Sequence, residues 1–201
     1  MIGCRPLDEE EVRDVLAALS RGLYASRDQS LVVLGITTGF RISELLSLKI
    51  RDLSTAGVLA SHVRIPASRM KGRKRPRSAV LAEPAKPYIE SWLLELRLIG
   101  RDGGNWPIFQ SRTGKKAITR AQAHRIIVSA FRTAGIEGGE RELATHCLRK
   151  TYAARMWEAH DQNIWKVQNA LGHASPASTV AYLSFEDSEQ QAAVASAFTD
   201  L

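Results

Sequence analysis

The sequence is poor in cysteine, and this excludes two kinds of architecture. Its 201 residues include only Cys4 and Cys147, which match no metal-ligand spacing and cannot build a disulfide framework. With 44% hydrophobic residues, the chain can bury a core without such covalent support. A reducing cytoplasm is therefore the simplest expected setting.

Long apolar runs are also missing. The longest, around Leu31 to Ile36, is far too short to span a bilayer. Near Met1, Arg5, Pro6 and the acidic run at residues 8–11 leave no room for the apolar segment of a signal peptide. We therefore expect no membrane partner.

Two common kinds of catalytic centre are missing as well. The sequence has no glycine-rich loop of the nucleotide-binding type. It has no Cys or His pair at zinc-ligand spacing around His146 or His173. We therefore expect neither a metal nor a cofactor.

Positive charge is what the chain has in excess. It carries 28 basic against 21 acidic residues, a net charge of +7. Seven of the basic residues fall between residues 64 and 77, a stretch without any acid. A solvated loop is one interpretation, but a polyanionic partner is favoured because phosphate neutralisation rewards clustered cations.

Helical periodicity dominates the pattern of apolar residues. It predicts a first helix from Leu7 to Ser20. Ser26 and Gln29 have the spacing of a capping box for a second helix that ends near Gly39. Further helices are expected from Arg41 to about Lys49, from about Glu83 to Leu98, from a cap at Thr119 and Gln122 to Ala134, and through the last third of the chain.

Between Gly57 and Leu81 the pattern changes to short apolar runs on either side of the basic stretch, which is typical of strands. Gly72 can supply a turn, so we expect two or three short strands in a small sheet with the positive charge at its tip. The predicted fold class is mainly α with a small antiparallel β-sheet (α+β). We expect one domain over residues 1–183 and a tail helix over residues 184–201.

Three motifs could carry chemistry, although each has a plain structural alternative. TGFRISELLSL (38–48) places Arg41 at a helix start with Glu44 three residues on, where a surface ion pair and a phosphate-binding arginine are equally good interpretations. HCLR (146–149) puts a histidine and an arginine on one helical face, or is an ordinary helix start. LGHAS (171–175) precedes Tyr182, which stands nine residues after His173 and would on its own be read as packing.

The order of these motifs is more informative than any one of them. TGFRISELLSL, the basic KGRKR segment, HCLR, LGHAS and the later tyrosine closely resemble the tyrosine recombinase (phage integrase) family. That family includes the bacterial chromosome-dimer-resolving recombinases and Cre recombinase. The resemblance runs from the first helix to Leu183. It implies a site-specific DNA recombinase that cleaves and rejoins strands through a 3′-phosphotyrosine intermediate, without metal or ATP.

The resemblance also implies roles for individual residues. Arg41 and Arg149 would hold the phosphate oxygens, His146 would assist proton transfer at Tyr182, and His173 would hydrogen-bond the phosphate. A lysine would protonate the leaving 5′-oxygen, and Lys71 is preferred to Lys74 for this role. The implied set is catalytic Arg41, Lys71, His146, Arg149, His173 and Tyr182, supporting Glu44, and DNA-binding Arg69, Arg73, Lys74, Arg75 and Arg77.

Family members typically add an N-terminal domain that clamps the DNA. The resemblance leaves that clamp out of this chain, either because the chain is shortened or because it is naturally short, like the fimbrial-switch recombinases. Weak, salt-dependent DNA binding is then expected. After Tyr182, an apolar stripe at Val194, Ala197, Phe198 and Leu201 would pack on its own domain or be exchanged between subunits.

The implied partners are double-stranded DNA and further copies of the chain. We expect a monomer when free, a homotetramer on DNA, association with the nucleoid, and accessory DNA-bending proteins. Two alternatives are a non-catalytic DNA-binding regulator that kept the fold and a type IB topoisomerase-like enzyme. The complete residue set disfavours the first, and the spacing from LGHAS to the tyrosine disfavours the second.

Overall fold

Helix α1 spans Glu9–Ser20 in the computed structural model of the chain, which describes residues 4–69, 76–114, 116–138, 143–172 and 179–180. The side chain of Asp8 accepts a hydrogen bond from the Glu11 amide at 2.8 Å, and the Glu11 carboxylate accepts one from the Asp8 amide at 3.1 Å. This capping box satisfies two amides that the first turn leaves without helical partners. The helix buries Val12, Val15 and Leu19, as the periodicity predicts.

Helix α2 (Ala25–Thr38) lies at the centre of the fold and packs against four of the other described α-helices. It ends at Gly39, in agreement with the prediction. The predicted capping box is wrong, because Tyr24 occupies the N-cap position without a side-chain cap. Ser26 Oγ instead donates to Glu95 at 2.5 Å and Gln29 Nε2 to the Leu16 carbonyl at 2.8 Å, since both side chains face neighbouring helices.

Helix α3 (Ile42–Leu45) is a single turn, much shorter than the predicted helix to Lys49. The chain leaves the helix because its next residues pair with the segment at residues 104–108. The Ile108 amide donates to the Leu48 carbonyl and the Ile50 amide to the Trp106 carbonyl, both at 3.0 Å. These bonds compete with the helical ones and end α3 early.

The strands form two antiparallel pairs. Strands β1 (Ser54–Thr55) and β2 (Val58–Leu59) make one two-stranded sheet, and β3 (His62–Ile65) and β4 (Arg77–Val80) make the other. In the second sheet Ile65 lies opposite Arg77. Residues 70–75, with most of the basic cluster, fall outside the described residues, so their place at a hairpin tip stays a prediction.

The remaining helices complete the core around α2. They are α4 (Lys86–Leu98), α5 (Arg120–Thr133), α6 (His146–Ala159) and α7 (Ile164–Leu171). The predicted capping box of α5 is present: Thr119 Oγ1 accepts from the Gln122 amide at 3.1 Å, and Gln122 Oε1 accepts from the Thr119 amide at 2.8 Å. The fold is mainly α with small antiparallel sheets, as predicted. None of the helices in the described ranges is long and apolar enough to cross a bilayer.

Candidate active site

Arg41 stands at the N-cap of α3, two residues after the left-handed Gly39 that ends α2. Its backbone amide donates to Glu44 Oε2 at 2.8 Å, and its guanidinium Nη1 lies 3.2 Å from Glu44 Oε1. About a third of the Arg41 side chain is exposed, against 8% for Glu44. The guanidinium is therefore oriented by a buried carboxylate and still reachable from outside.

Glu44 carries a negative charge although it is buried. Burial alone raises the pKa of this carboxyl, but the charge of Arg77, the hydrogen bond from the Arg41 amide, and the charges of Arg41 and Arg149 together outweigh it and leave the pKa below 4.5. Glu44 is thus a fixed anion among three arginines. Its negative charge compensates part of the positive charge that these three arginines bring to the site.

Arg149 approaches the same point from helix α6. It is 1% exposed, its Nη1 donates to the Gly39 carbonyl oxygen, and its Nη2 donates to the Leu171 carbonyl oxygen at 2.9 Å. The approach depends on close packing of α2 against α6, where a Cβ on Gly35 would lie 2.7 Å from Leu148 Cδ1. Arg149 and Arg41, 108 positions apart in sequence, meet across the Gly39 turn.

His146 lies one turn before Arg149, with part of its ring exposed. Partial burial lowers the pKa of this imidazole below 6.5, and the positive charges of Arg149, Arg41 and Lys150 lower it further. At neutral pH the ring is therefore uncharged and has a lone pair that can accept a proton.

This environment makes a testable prediction for the titration of His146. We expect its pKa, followed by NMR of the ring protons, to lie below 6.5 and to rise in Lys150→Met, because that variant removes one of the repelling charges. Lys166→Met removes the same charge from α7 and serves as the control. Titration of the wild-type ring at or above 6.5, or equal shifts in both variants, would contradict this account.

Two of the predicted DNA-binding arginines are engaged elsewhere. Arg77 is 5% exposed and its Nη1 lies 2.7 Å from Glu44 Oε2, so its guanidinium faces the interior, and contact with DNA stays a prediction. Arg69 binds both carboxylate oxygens of Asp52 and donates to the Ser47 carbonyl at 3.0 Å, so its guanidinium is largely occupied. Both arginines pair with buried acids whose positions the charge pattern did not reveal.

The other expected residues cannot be placed. They fall outside the described residues and comprise Lys71, Arg73, Lys74, Arg75, His173 and Tyr182. Close to them in sequence, Gly172 ends α7 in a left-handed conformation, and Thr179 is fully buried. The structure thus brings together Arg41, Glu44, His146 and Arg149.

The site also contains two elements that the motifs did not indicate. One is the Gly39 carbonyl oxygen, which accepts hydrogen bonds from both Arg77 and Arg149. The other is Arg77 itself, the inward-facing partner of Ile65 in the β3–β4 sheet. The register that places Arg77 opposite buried Ile65 gives no signal in the sequence, where a charged residue beside a basic stretch is more naturally assigned to the surface.

Comparison with known sequences gives relatives along nearly the whole chain. The phage integrase family model matches residues 5–189. The chain is 29% identical over 167 residues to the probable integrase/recombinase YoeC of Bacillus subtilis, covering 83% of this chain and 82% of that protein. It is 32% identical over 181 residues to the tyrosine recombinase XerC of Azotobacter vinelandii, covering 89% of this chain but 55% of XerC. The chain thus spans about half the length of the XerC proteins it matches.

Solved structures of similar fold point the same way. The crystal structure of XerA recombinase superimposes with a TM-score of 0.74 at 25% identity, over 98% of this chain and 66% of that one. The XerH recombinase bound to its palindromic difH substrate, a post-cleavage complex, superimposes with a TM-score of 0.75 at 23% identity, over 94% of this chain and 52% of that one, and supports the fold alone. The family match, the motif order and the clustered arginines agree: this chain belongs to the phage integrase family of tyrosine recombinases.

Proposed function

We propose that this chain is the catalytic domain of a site-specific recombinase that cleaves and rejoins DNA through a phosphotyrosine at Tyr182. The observation that carries the proposal is the meeting of Arg41, His146 and Arg149 around the Gly39 turn. These residues come from two motifs more than 100 positions apart, and the charges of both arginines act on the histidine. A cluster of positive charge beside a neutral imidazole suits a phosphodiester.

The two arginines would stabilise the negative charge that develops on the phosphate. Arg41 is partly exposed and held by Glu44, so it can bind a non-bridging oxygen. Arg149 is fixed by two backbone carbonyls and contributes its positive charge from the interior. Such groups need no rearrangement during the reaction, and the loss of one typically costs about a hundred- to a thousand-fold in rate.

Proton movement would complete the chemistry. Tyrosine has a pKa of about 10, so its hydroxyl needs a proton acceptor at neutral pH, and the uncharged ring of His146 can provide one. The Tyr182 oxygen then attacks phosphorus and forms a 3′-phosphotyrosine, while Lys71 protonates the departing 5′-oxygen and His173 hydrogen-bonds the phosphate. The new ester conserves the energy of the broken one, so rejoining needs no ATP.

Covalent trapping on nicked DNA tests the proposal. The duplexes carry randomised sequence around a nick placed just beyond the position of cleavage, so that the short released strand diffuses away and the adduct accumulates. We expect the wild type to form a protein–DNA adduct that survives denaturation, and Tyr182→Phe to form none. The adducts are quantified on denaturing gels and their DNA is sequenced.

The outcomes separate the alternatives. Adducts enriched for one sequence support a recombinase, whereas adducts without sequence preference support a topoisomerase-like enzyme. DNA binding without any adduct would identify a non-catalytic regulator. An adduct that persists in Tyr182→Phe would contradict the assignment of the nucleophile.

Assembly and setting follow from the same proposal. Related recombinases have been solved on DNA, among them XerH on difH and a lambda integrase dimer on a core site, which supports DNA as the partner here. We place the protein on nucleoid DNA in the cytoplasm, as a monomer when free and a homotetramer when bound to DNA, with accessory DNA-bending proteins. The C-terminal tail exchanged between subunits belongs to this proposal and lies outside the described residues.

A further inference from the structure

Arg77 occupies an interior position from which it contacts the groups that hold both arginines of the site. We propose that Arg77 is a positioning residue for strand cleavage, which sets the orientation of Arg41 through Glu44 and that of Arg149 through the Gly39 carbonyl. This inference rests on the proposed function. It is an alternative to the expectation that Arg77 binds DNA.

The first connection, between Arg77 and Arg41, runs through the carboxylate of Glu44. Glu44 Oε2 accepts from Arg77 Nη1 at 2.7 Å and from the Arg41 amide at 2.8 Å, while Glu44 Oε1 accepts from Arg41 Nη1 at 3.2 Å. Both oxygens of Glu44 are thereby engaged. A shift of Arg77 would release one side of this carboxylate and change the direction in which it holds Arg41.

The second connection, between Arg77 and Arg149, runs through the carbonyl of Gly39. The Gly39 oxygen accepts from Arg77 Nη2 at 3.1 Å and also from Arg149 Nη1. A carbonyl oxygen has two lone pairs, so it can serve both donors. Arg77 thus donates from Nη1 to Glu44, which also accepts from Arg41. It donates from Nη2 to the Gly39 carbonyl, which also accepts from Arg149.

This arrangement requires the shape of a guanidinium. Its two terminal nitrogens diverge in one plane and can reach two separate acceptors, whereas the single nitrogen of lysine is a point charge. The plane of Arg77 is fixed further by Phe40, whose ring centre lies 4.7 Å from the guanidinium carbon. Lysine at position 77 would keep the charge and lose the simultaneous bridge.

Stability alone is a poor account of Arg77. A buried ion pair contributes little net stability, because removing two charges from water offsets most of their attraction. With 5% of its side chain exposed and both terminal nitrogens bonded to interior acceptors, Arg77 is poorly placed to contact a backbone phosphate directly. Apart from a longer hydrogen bond of 3.4 Å from Nη2 to the Thr38 carbonyl, its described hydrogen bonds go to the two acceptors that orient Arg41 and Arg149.

The chain contains a matched control at Arg27. This arginine is also buried, pairs with Asp28 at 2.8 Å, donates to the Gln110 carbonyl at 3.2 Å, and lies 4.3 Å from the ring centre of Tyr24. It lies at the opposite end of α2 from Gly39, a distance of roughly 18 Å along the helix. Arg27→Lys should therefore disturb the same kinds of contact away from the site.

The main experiment compares trapping rates of Arg77→Lys and Arg27→Lys on a duplex recovered from the randomised pool. Rates are measured at a temperature at which thermal transitions show both variants to be folded. We expect Arg77→Lys to react about ten- to a hundred-fold more slowly than the wild type. Arg27→Lys should stay within about two-fold of the wild type, since distant sites act independently. Equal losses in both variants, or a wild-type rate in Arg77→Lys, would overturn the proposal.

A change in the substrate separates positioning from general damage to the fold. A methylphosphonate at the cleaved linkage lacks the negative charge that the arginines stabilise. The deficit of Arg77→Lys relative to the wild type should therefore shrink on this substrate. A deficit of the same size on both substrates would show that Arg77 acts only through the fold. Arg77→Gln, which removes the buried charge, is the second variant if Arg77→Lys does not fold.

An NMR measurement decides the question without any reaction. In protein labelled with ¹⁵N-arginine, the Nε–H groups of Arg41 and Arg149 should exchange with water faster in Arg77→Lys than in the wild type or Arg27→Lys. Unchanged exchange at both arginines would refute the proposal for Arg77. Failure of the wild type to form any adduct would instead refute the proposed function, so the two failures are distinguishable.

Discussion

Replacement of Gly39 by alanine is expected to destabilise the protein by about 2–5 kcal/mol, from left-handed backbone strain and overpacking together. Gly39 has φ of +59°, and a Cβ there would lie 2.8 Å from Tyr152 Cε1 and Cγ, with Cδ1 nearer still. Tyr152 belongs to α6, so relief of this clash must move α6 or the turn. Either movement displaces the carbonyl oxygen that Arg77 and Arg149 share, and covalent trapping should fall to background. Chemical denaturation measures the first effect and the nicked-duplex assay the second.

Gly135→Ala is the matched control for this prediction. Gly135 also has a positive φ, +73°, but a Cβ there would meet nothing within 4 Å. The control therefore carries the backbone strain, about 1–2 kcal/mol, without the clash. If Gly39→Ala and Gly135→Ala lose the same stability and both still form adducts, the crowding against Tyr152 has no consequence for the site.

Replacement of Glu44 by glutamine should have the second largest effect. The amide nitrogen of glutamine has no lone pair, so one donor from Arg41 or Arg77 would face another donor. Breaking a buried pair from one side typically costs about 3–5 kcal/mol because the remaining charge loses its partner. Arg41 would also lose its orientation. We therefore expect lower stability and a large loss of trapping.

Asp28→Asn removes the acid beside buried Arg27 and is the control for that prediction. It should lower the free energy of unfolding while adduct formation continues. Retention of the wild-type trapping rate in Glu44→Gln would mean that Arg41 does not depend on Glu44.

The pH dependence of stability gives a separate measurement on Glu44. Its folded pKa lies below the ordinary value of 4.5, so its ionisation stabilises the folded protein above that pH. This contribution is lost as the pH falls from 4.5 through the lower folded value. The difference in stability between the wild type and Glu44→Gln should therefore narrow over that interval, and a constant difference would be inconsistent with the lowered pKa.

The sequence predicts most helices because their signals are local. The α5 capping box and the glycine after α2 depend on residues a few positions apart. The early end of α3 was not predictable in this way, since it depends on pairing with residues 104–108. Ser26 and Gln29 had the right spacing for a cap, but contacts with α4 and α1 determined the roles of their side chains.

The residues of the site also differ in whether local sequence signals predict them. Arg41, Glu44, His146 and Arg149 stand in motifs of recognisable order, so the sequence could predict that they act together. The true surroundings of Arg77 could not be predicted, because its partners lie more than 30 positions earlier in the chain. Charge patterns in sequence do not distinguish an arginine that meets DNA from one that is buried against a carboxylate.

The order of the motifs along the chain determines when, during synthesis, the proposed site can form. During synthesis, Arg41 and Glu44 leave the ribosome long before Arg149 and Tyr182 exist. The Gly39 carbonyl accepts hydrogen bonds from Arg77 and Arg149. It can meet Arg149, which belongs to α6, only when α2 and α6 have packed together. Under the proposed function, an unfinished or misfolded copy would lack the paired arginines needed for strand cleavage, so cleavage would become possible only once the fold is complete.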